Sequence, residues 1–119
     1  MPEKHRESRQ NYLKQFAERQ RRGREYERSA VLIVRNFNAR LSTAKSAGFW
    51  PTVETALASK RHWLHILCES CEAVLDLDLR MKPREPEAPV SIALRDVRCP
   101  RCNGHGRPRI VGLSRFPSR

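Results

Sequence analysis

The chemistry in this chain begins with four cysteines set out as two matched pairs, Cys68-Glu69-Ser70-Cys71 and Cys99-Pro100-Arg101-Cys102, with 27 residues between the pairs. Two residues between ligands allow a tight turn that aims both sulfurs, and nearby backbone amides, at one ion. Two such knuckles supply the four thiolates of a closed tetrahedral zinc shell, with Zn–S distances of about 2.3 Å. A closed shell leaves no position for water, so the pattern predicts one structural Zn2+ per chain rather than a catalytic metal. The gap exceeds the ~15–20 residues of the common four-cysteine pattern; a Pro-rich loop over 81–89 and a short element after it account for the excess. A redox dithiol would open a helix inside a βαβ unit, and the chain shows no such unit. An iron–sulfur cluster would use the same ligands. His62, His65 and His105 flank the pairs, but four cysteines fill the shell, so the histidines read as surface or strand-packing residues.

The second chemical signal is charge. With 24 Lys/Arg against 13 Asp/Glu, the formal charge is +11, which draws polyanions: nucleic acid, anionic membrane or acidic protein. From Arg98 onward there are six arginines and no acid. A zinc–tetrathiolate centre carries a charge of about −2, so Arg98 and Arg101 could serve only to balance it. The run of Arg98, Arg101, Arg107 and Arg109 goes further, and arginine grips phosphates bidentately. Arg21 and Arg22, in an Arg-rich stretch near the N-terminus, could add a second contact or simply solvate a helix. Trp63 and Phe116 are the candidates for base stacking, although Trp63 equally suits a cover for a small sheet. Asp76 and Asp78 share one strand face and read as solvated. There is no Gly-rich phosphate loop and no recognisable nucleophile arrangement, so neither an enzyme nor a small-molecule substrate is expected.

The elements that must position these residues are legible in outline. Residues 1–28 carry nine basic and five acidic residues and read as a partly helical arm, supported weakly by Glu18–Arg22 and Arg21–Glu25 pairs and weakened by Gly23. Ala30, Val34, Phe37, Leu41 and Ala44 then repeat at helical spacing, with Ile33 beside them, up to about Ser46. Gly48 and Pro51 signal a stop, and Val53, Ala56 and Leu57 a short second helix ending near Lys60. From 62 to 67 and from 73 to 80 the period becomes two, as in strands. The first cysteine pair lies between them as a hairpin turn. Val90, Ala93, Leu94 and Val97 suit a short amphipathic helix, with a strand as the alternative. A last strand is expected over 107–113.

With those elements in place, residues 50–114 resemble small, uncharacterised bacterial zinc-ribbon proteins. The shared pattern is an apolar strand (63–67), Cys68/Cys71, a strand with an Asp-Leu (75–79), a short helix near 90–94, Arg98-Cys99-Pro100-Arg101-Cys102 and a basic closing strand. The resemblance implies the ribbon fold and the cysteine ligands, and no activity. Glu69 and Glu72 depart from the usual Pro and Gly of the first knuckle; in the second, Asn103 precedes Gly104 and tolerates the left-handed turn.

The expected fold class is therefore α+β: a basic arm (1–28), a helical segment (29–60), a four-cysteine zinc ribbon (61–114) and a disordered tail (115–119). The expected role is a non-catalytic accessory or regulatory factor that binds DNA or RNA. The alternative is a zinc-stabilised protein-interaction adaptor, docking on a partner or its own copy through the apolar face of helix 29–46. No signal-like leader is evident, and the longest aliphatic run, 30–34, is five residues against the ~20 of a membrane span. A cytoplasmic protein with no membrane partner is expected.

Overall fold

The computed structural model describes residues 2–44, 46–102 and 107–118, the backbone alone at 2–10 and 96. A single helix, α1 (Pro2–Thr43), opens the chain. It runs unbroken through residue 28, where the sequence suggested a boundary between arm and helix. Gly23 lowers helix stability by roughly 1 kcal/mol, but its neighbours are Arg, Gln and Glu, all good helix formers, and no proline intervenes. The helix ends at Thr43, short of Ser46, and Ala44 beyond it is exposed. The expected Glu18–Arg22 and Arg21–Glu25 ion pairs do not form.

One stripe of α1 enters the core: Ala30, Val34 and Phe37 are buried and Leu41 is half-buried, while Ile33 beside them is exposed. The centre of the face expected to dock on a partner is thus covered by the chain's own core, while Ile33 and Ala44 at its margins stay exposed. The segment after α1 turns at Gly48, whose φ of +83° suits a residue without a Cβ, and folds back on the helix. Phe49 meets Phe37 edge to face at 5.8 Å, and Trp50 lies 5.9 Å from Phe37. Arg40 stacks over Phe49 and donates to the Ala47 carbonyl. Helix α2 (Val53–Ala58) follows, capped by Thr52, whose hydroxyl accepts from the Thr55 N–H at 3.0 Å.

Three antiparallel strands, β1 (Trp63–Cys68), β2 (Val74–Asp78) and β3 (Pro108–Ser114), form one sheet in the order β2-β1-β3. The two-residue period places Leu64 between Leu77 and Leu113, and Ile66 between Leu75 and Ile110, all facing α1. Val111 is the extra residue of a bulge in β3, where the register shifts between His65 and Ile66. The exposed edge of β3 is closed by Asn38 of α1. Its Oδ1 accepts from the Leu113 N–H at 2.9 Å and its Nδ2 donates to the Leu113 carbonyl at 2.8 Å, as a neighbouring strand would. A Cβ at Gly112 would stand 3.3 Å from that Oδ1, which explains the glycine. Residues Val90–Asp96 form a 3₁₀ helix. Its three-residue period puts both Val90 and Ala93 in the core.

The outer sheet face departs most from expectation. Asp76 and Asp78, read as solvated, are both engaged. Asp76 Oδ1 pairs with His65 Nδ1 at 2.7 Å, and the carboxylate also accepts from the N–H and hydroxyl of Ser118. Burial pushes the Asp76 carboxyl up, but the Ser118 hydroxyl, His65 and the Ser118 N–H outweigh it and hold it below the usual value. His65 Nε2 meets Ser114 Oγ, whose hydroxyl donates to the Phe116 carbonyl. The tail, expected to be disordered, is therefore strapped across the sheet from β3 to β2 as far as Ser118; Arg119 lies outside the described residues.

Asp78 is 8% exposed and receives a fork from Arg80, with Nη2 at 2.8 Å and Nε at 3.0 Å, while His62 Nδ1 stands 3.2 Å away. The Arg80 hydrogen bonds, against burial, hold its carboxyl down at about 2. A carboxyl depressed by folding contributes stability that is complete above its unfolded value and drains as pH falls through the folded one. Asp78 should thus remain ionised at about pH 4, where an ordinary aspartate is half protonated; its carboxyl carbon shift in an NMR titration checks this. Asp78→Asn is expected to cost about 1–2 kcal/mol at pH 8 by urea denaturation, discounted for the exposed Arg80.

Candidate metal centre

Strand β1 ends on Cys68, and the first knuckle turns immediately after it. The Cys68 N–H donates to the Ala73 carbonyl at 2.9 Å, and the Cys68 carbonyl accepts from Glu72 N–H at 2.8 Å. Glu72 takes the left-handed conformation, φ 59°, at the place where such knuckles commonly carry glycine. A side chain there costs roughly 1–2 kcal/mol, so something must hold the turn in place. The second knuckle follows the 3₁₀ helix, with Cys99 buried. The Glu69 N–H donates to the Arg107 carbonyl and ties the first knuckle to the approach of β3. Asn103, Gly104 and His105 lie outside the described residues.

The four sulfurs converge. All lie within 4.8 Å of one another, and the short approaches, Cys68–Cys102 and Cys71–Cys99 at 3.4 Å, cross between knuckles. A tetrahedron with metal–sulfur bonds of about 2.3 Å has edges of about 3.8 Å, so the cluster is close enough to coordinate one metal ion. The cysteines are free, and 3.4 Å is far beyond the ~2.05 Å of a disulfide. Ile66, Leu75, Val97 and Pro108 wall the inner side of the cluster.

The backbone sets the charge on the sulfurs. The Cys102 N–H, with that of Arg101, holds the Cys99 thiol down at about 6 against burial. The Cys71 N–H similarly lowers Cys68. Cys71 differs: the Ala73 N–H draws it down, but the Cys99 sulfur, burial and the Cys68 sulfur push it up to about 11. Four thiolates cannot share this volume without a cation among them. Metal binding must therefore displace protons, that of Cys71 above all, and weakens as pH falls.

The expected phosphate-binding arginines divide between elements. Arg98, Arg101 and Arg107 are exposed, within or beside the second knuckle and β3. Arg109 is less free: its buried Nε lies 3.7 Å from Glu69 Oε1, an ion pair across the two knuckle regions. Arg21 and Arg22 are exposed on α1, where every described side chain from 11 to 26 is exposed. Trp63 is half-buried against His62, whereas Phe116 is 74% exposed. Sequence reasoning missed Asn38, Ser114 and Ser118; short polar residues at element ends carry no periodic signal. Among the described residues, no helix is long and apolar enough to cross a membrane. No family model matches the chain, and neither a curated protein nor a solved structure does.

Proposed function

We propose that this chain is a non-catalytic, cytoplasmic zinc-ribbon protein that binds nucleic acid as an accessory or regulatory factor. The four-cysteine cluster supports zinc as the ion, since a closed set of four thiolates is its preferred structural shell and leaves no open position for chemistry. The observation that carries the nucleic-acid reading is the free half of α1. There Arg19, Arg21, Arg22, Arg24 and Arg28 are all exposed, and none makes an ion pair with a described residue. A helix of 42 residues is about 63 Å long, and the molecule extends 72 Å along its long axis. The basic arm therefore reaches well beyond the sheet. Charge held out in solvent, without internal compensation, is what a polyanion would neutralise.

The adaptor alternative relied on an apolar face over 29–46, and the centre of that face, Val34 and Phe37, packs in the chain's own core. The Asp76–His65–Ser114 chain has the connectivity of a hydrolytic triad. However, the Ser114 proton goes to the Phe116 carbonyl, and Asp76 is shared with Ser118, which supports a strap rather than an activated nucleophile.

Zinc-loaded protein should bind DNA or RNA with an affinity that falls steeply between about 50 and 200 mM salt. Replacing Arg21, Arg22, Arg101 and Arg107 by Ala should make the slope of log affinity against log salt shallower, by about 0.7–0.9 for each phosphate no longer neutralised. Fluorescence anisotropy with single-stranded DNA, duplex DNA and RNA measures both quantities. Binding that is absent, or unchanged by salt, would sink the reading.

A further inference from the structure

Three further arginines come together at the end of the sheet away from the cysteines. Arg61 lies just before β1. Arg115 lies just after β3, and the pairing of Trp63 with Ser114 makes the two strand ends neighbours. Arg35 is on α1, between the level of Glu27, which pairs with Lys60, and that of Asn38, which clamps Leu113. The helix, the α2–β1 turn and the tail thus converge on one spot.

Two of these side chains have no ion-pair partner of any kind among the described residues, and the third has only a carbonyl. Arg61 Nη1 donates to the Ser59 carbonyl at 3.1 Å, which fixes the guanidinium and leaves its other donors free. The nearby acids are already taken: Glu27 by Lys60, and Asp78 by Arg80 with His62 beside it. Burial, then the charges of Arg35 and Arg115, depress the Arg61 guanidinium. Arg115 is held in place by the strap, between the Ser114–His65 contact and the Ser118–Asp76 hydrogen bonds. Next to it, Phe116 offers an exposed ring.

We propose that Arg35, Arg61 and Arg115 form a binding site for a phosphate group, filled by the backbone of a single-stranded nucleic acid whose adjoining base stacks on Phe116. Arginine suits this ligand because its planar fork donates two parallel hydrogen bonds to phosphate oxygens. The phosphate site stands on the cluster alone, whereas its occupant rests on the nucleic-acid reading above.

The test uses the full zinc-loaded chain and the side-chain Nε–Hε signals of arginine in NMR. The probes are inorganic phosphate and a short single-stranded DNA oligonucleotide. Both should shift the signals of Arg35, Arg61 and Arg115 in a saturable way, and Arg115→Gln should abolish the shift at Arg61. Arg35→Gln provides a second variant on an exposed helix position, where folding is not at risk. Each variant should lower the DNA salt slope by about 0.7, and Phe116→Ala should weaken DNA but not phosphate. If DNA shifts Arg21 and Arg22 but leaves this cluster unmoved, the inference fails and the nucleic-acid reading stands. If phosphate shifts the cluster but DNA does not bind, the phosphate site stands, and its nucleic-acid occupant and the nucleic-acid reading both fail. If neither probe moves it, and DNA is not bound, both are overturned.

Discussion

Cys99→Ser is expected to abolish metal retention and to melt the three-stranded sheet, the largest effect of any single substitution in this chain. The reason lies in how little else holds the region together. Its core consists of one stripe of α1, two short helices and one face of three short strands. The helical residues preceding Ala30 add little to it. Small cores of this kind seldom supply more than about 3–5 kcal/mol, whereas structural zinc in small modules contributes on the order of 10–16 kcal/mol at neutral pH. The cysteines also sit where the topology is weakest. Cys68 ends β1, the central strand, and Cys99 lies on the connection from the 3₁₀ helix to β3. Without a metal, β3 is held by its pairing with β1 and, through Asn38, by α1, and only the hydrogen bonds of the Cys68–Ala73 turn keep Glu72 in its strained conformation. On the proposed zinc site, the wild type should carry one metal per chain by mass spectrometry and the serine variant none. The variant's near-ultraviolet dichroism should collapse and its cooperative thermal transition disappear. Much of α1 should fray with it, because an isolated helix is marginal in water once its packed face has no partner. A variant free of metal that melted cooperatively at the wild-type temperature would mean that the sheet stands on packing alone.

The sequence made these features legible to different degrees, for physical reasons. The cysteine pairs were plain because metal ligation demands fixed residue types at fixed spacing. The strands were plain because burying one sheet face imposes a two-residue alternation, visible in Leu75, Leu77 and Leu79. The continuity of α1 was obscured by Gly23 and by the scarcity of apolar residues before Ala30. Helix propensity is a sum over many residues, and one glycine weighs less in that sum than its prominence suggests. The fate of Asp76 and Asp78 was hidden for another reason. Their period placed them correctly on the outer face, but what covers that face is a tail that returns from about forty residues away. Its anchors, Ser114 and Ser118, resemble any polar C-terminal residues. The same holds for Asn38, whose amide mimics a strand edge by bonding both the N–H and the carbonyl of Leu113.

Phe37→Ala is expected to be the most damaging change away from the metal, costing about 3–5 kcal/mol. Phe37 is completely buried, and it joins two parts of the structure. On one side it seats α1 on the sheet; on the other its ring receives Phe49 and Trp50 and so fixes the turn that reverses the chain after the helix. Truncation leaves a cavity that the strands cannot close without breaking their register, and it lets Asn38, the next residue, drift from Leu113. Ile33 on the same helix is the control: it is exposed, and Ile33→Ala should change stability by about 0.5 kcal/mol or less. Urea denaturation of the proteins measures the contrast; equal costs at the two positions would mean that Phe37 does not anchor α1 in the core. The response to added zinc separates this defect from the loss of a ligand. A folded state that binds metal is stabilised in proportion to the logarithm of free metal over its dissociation constant. Phe37→Ala keeps all four thiolates, so its melting temperature should climb as free zinc is raised. Cys99→Ser lacks one of them and should gain little from the same addition. The core and the metal centre thus support one cooperative unit from opposite ends, and only damage to the core can be offset by the ion.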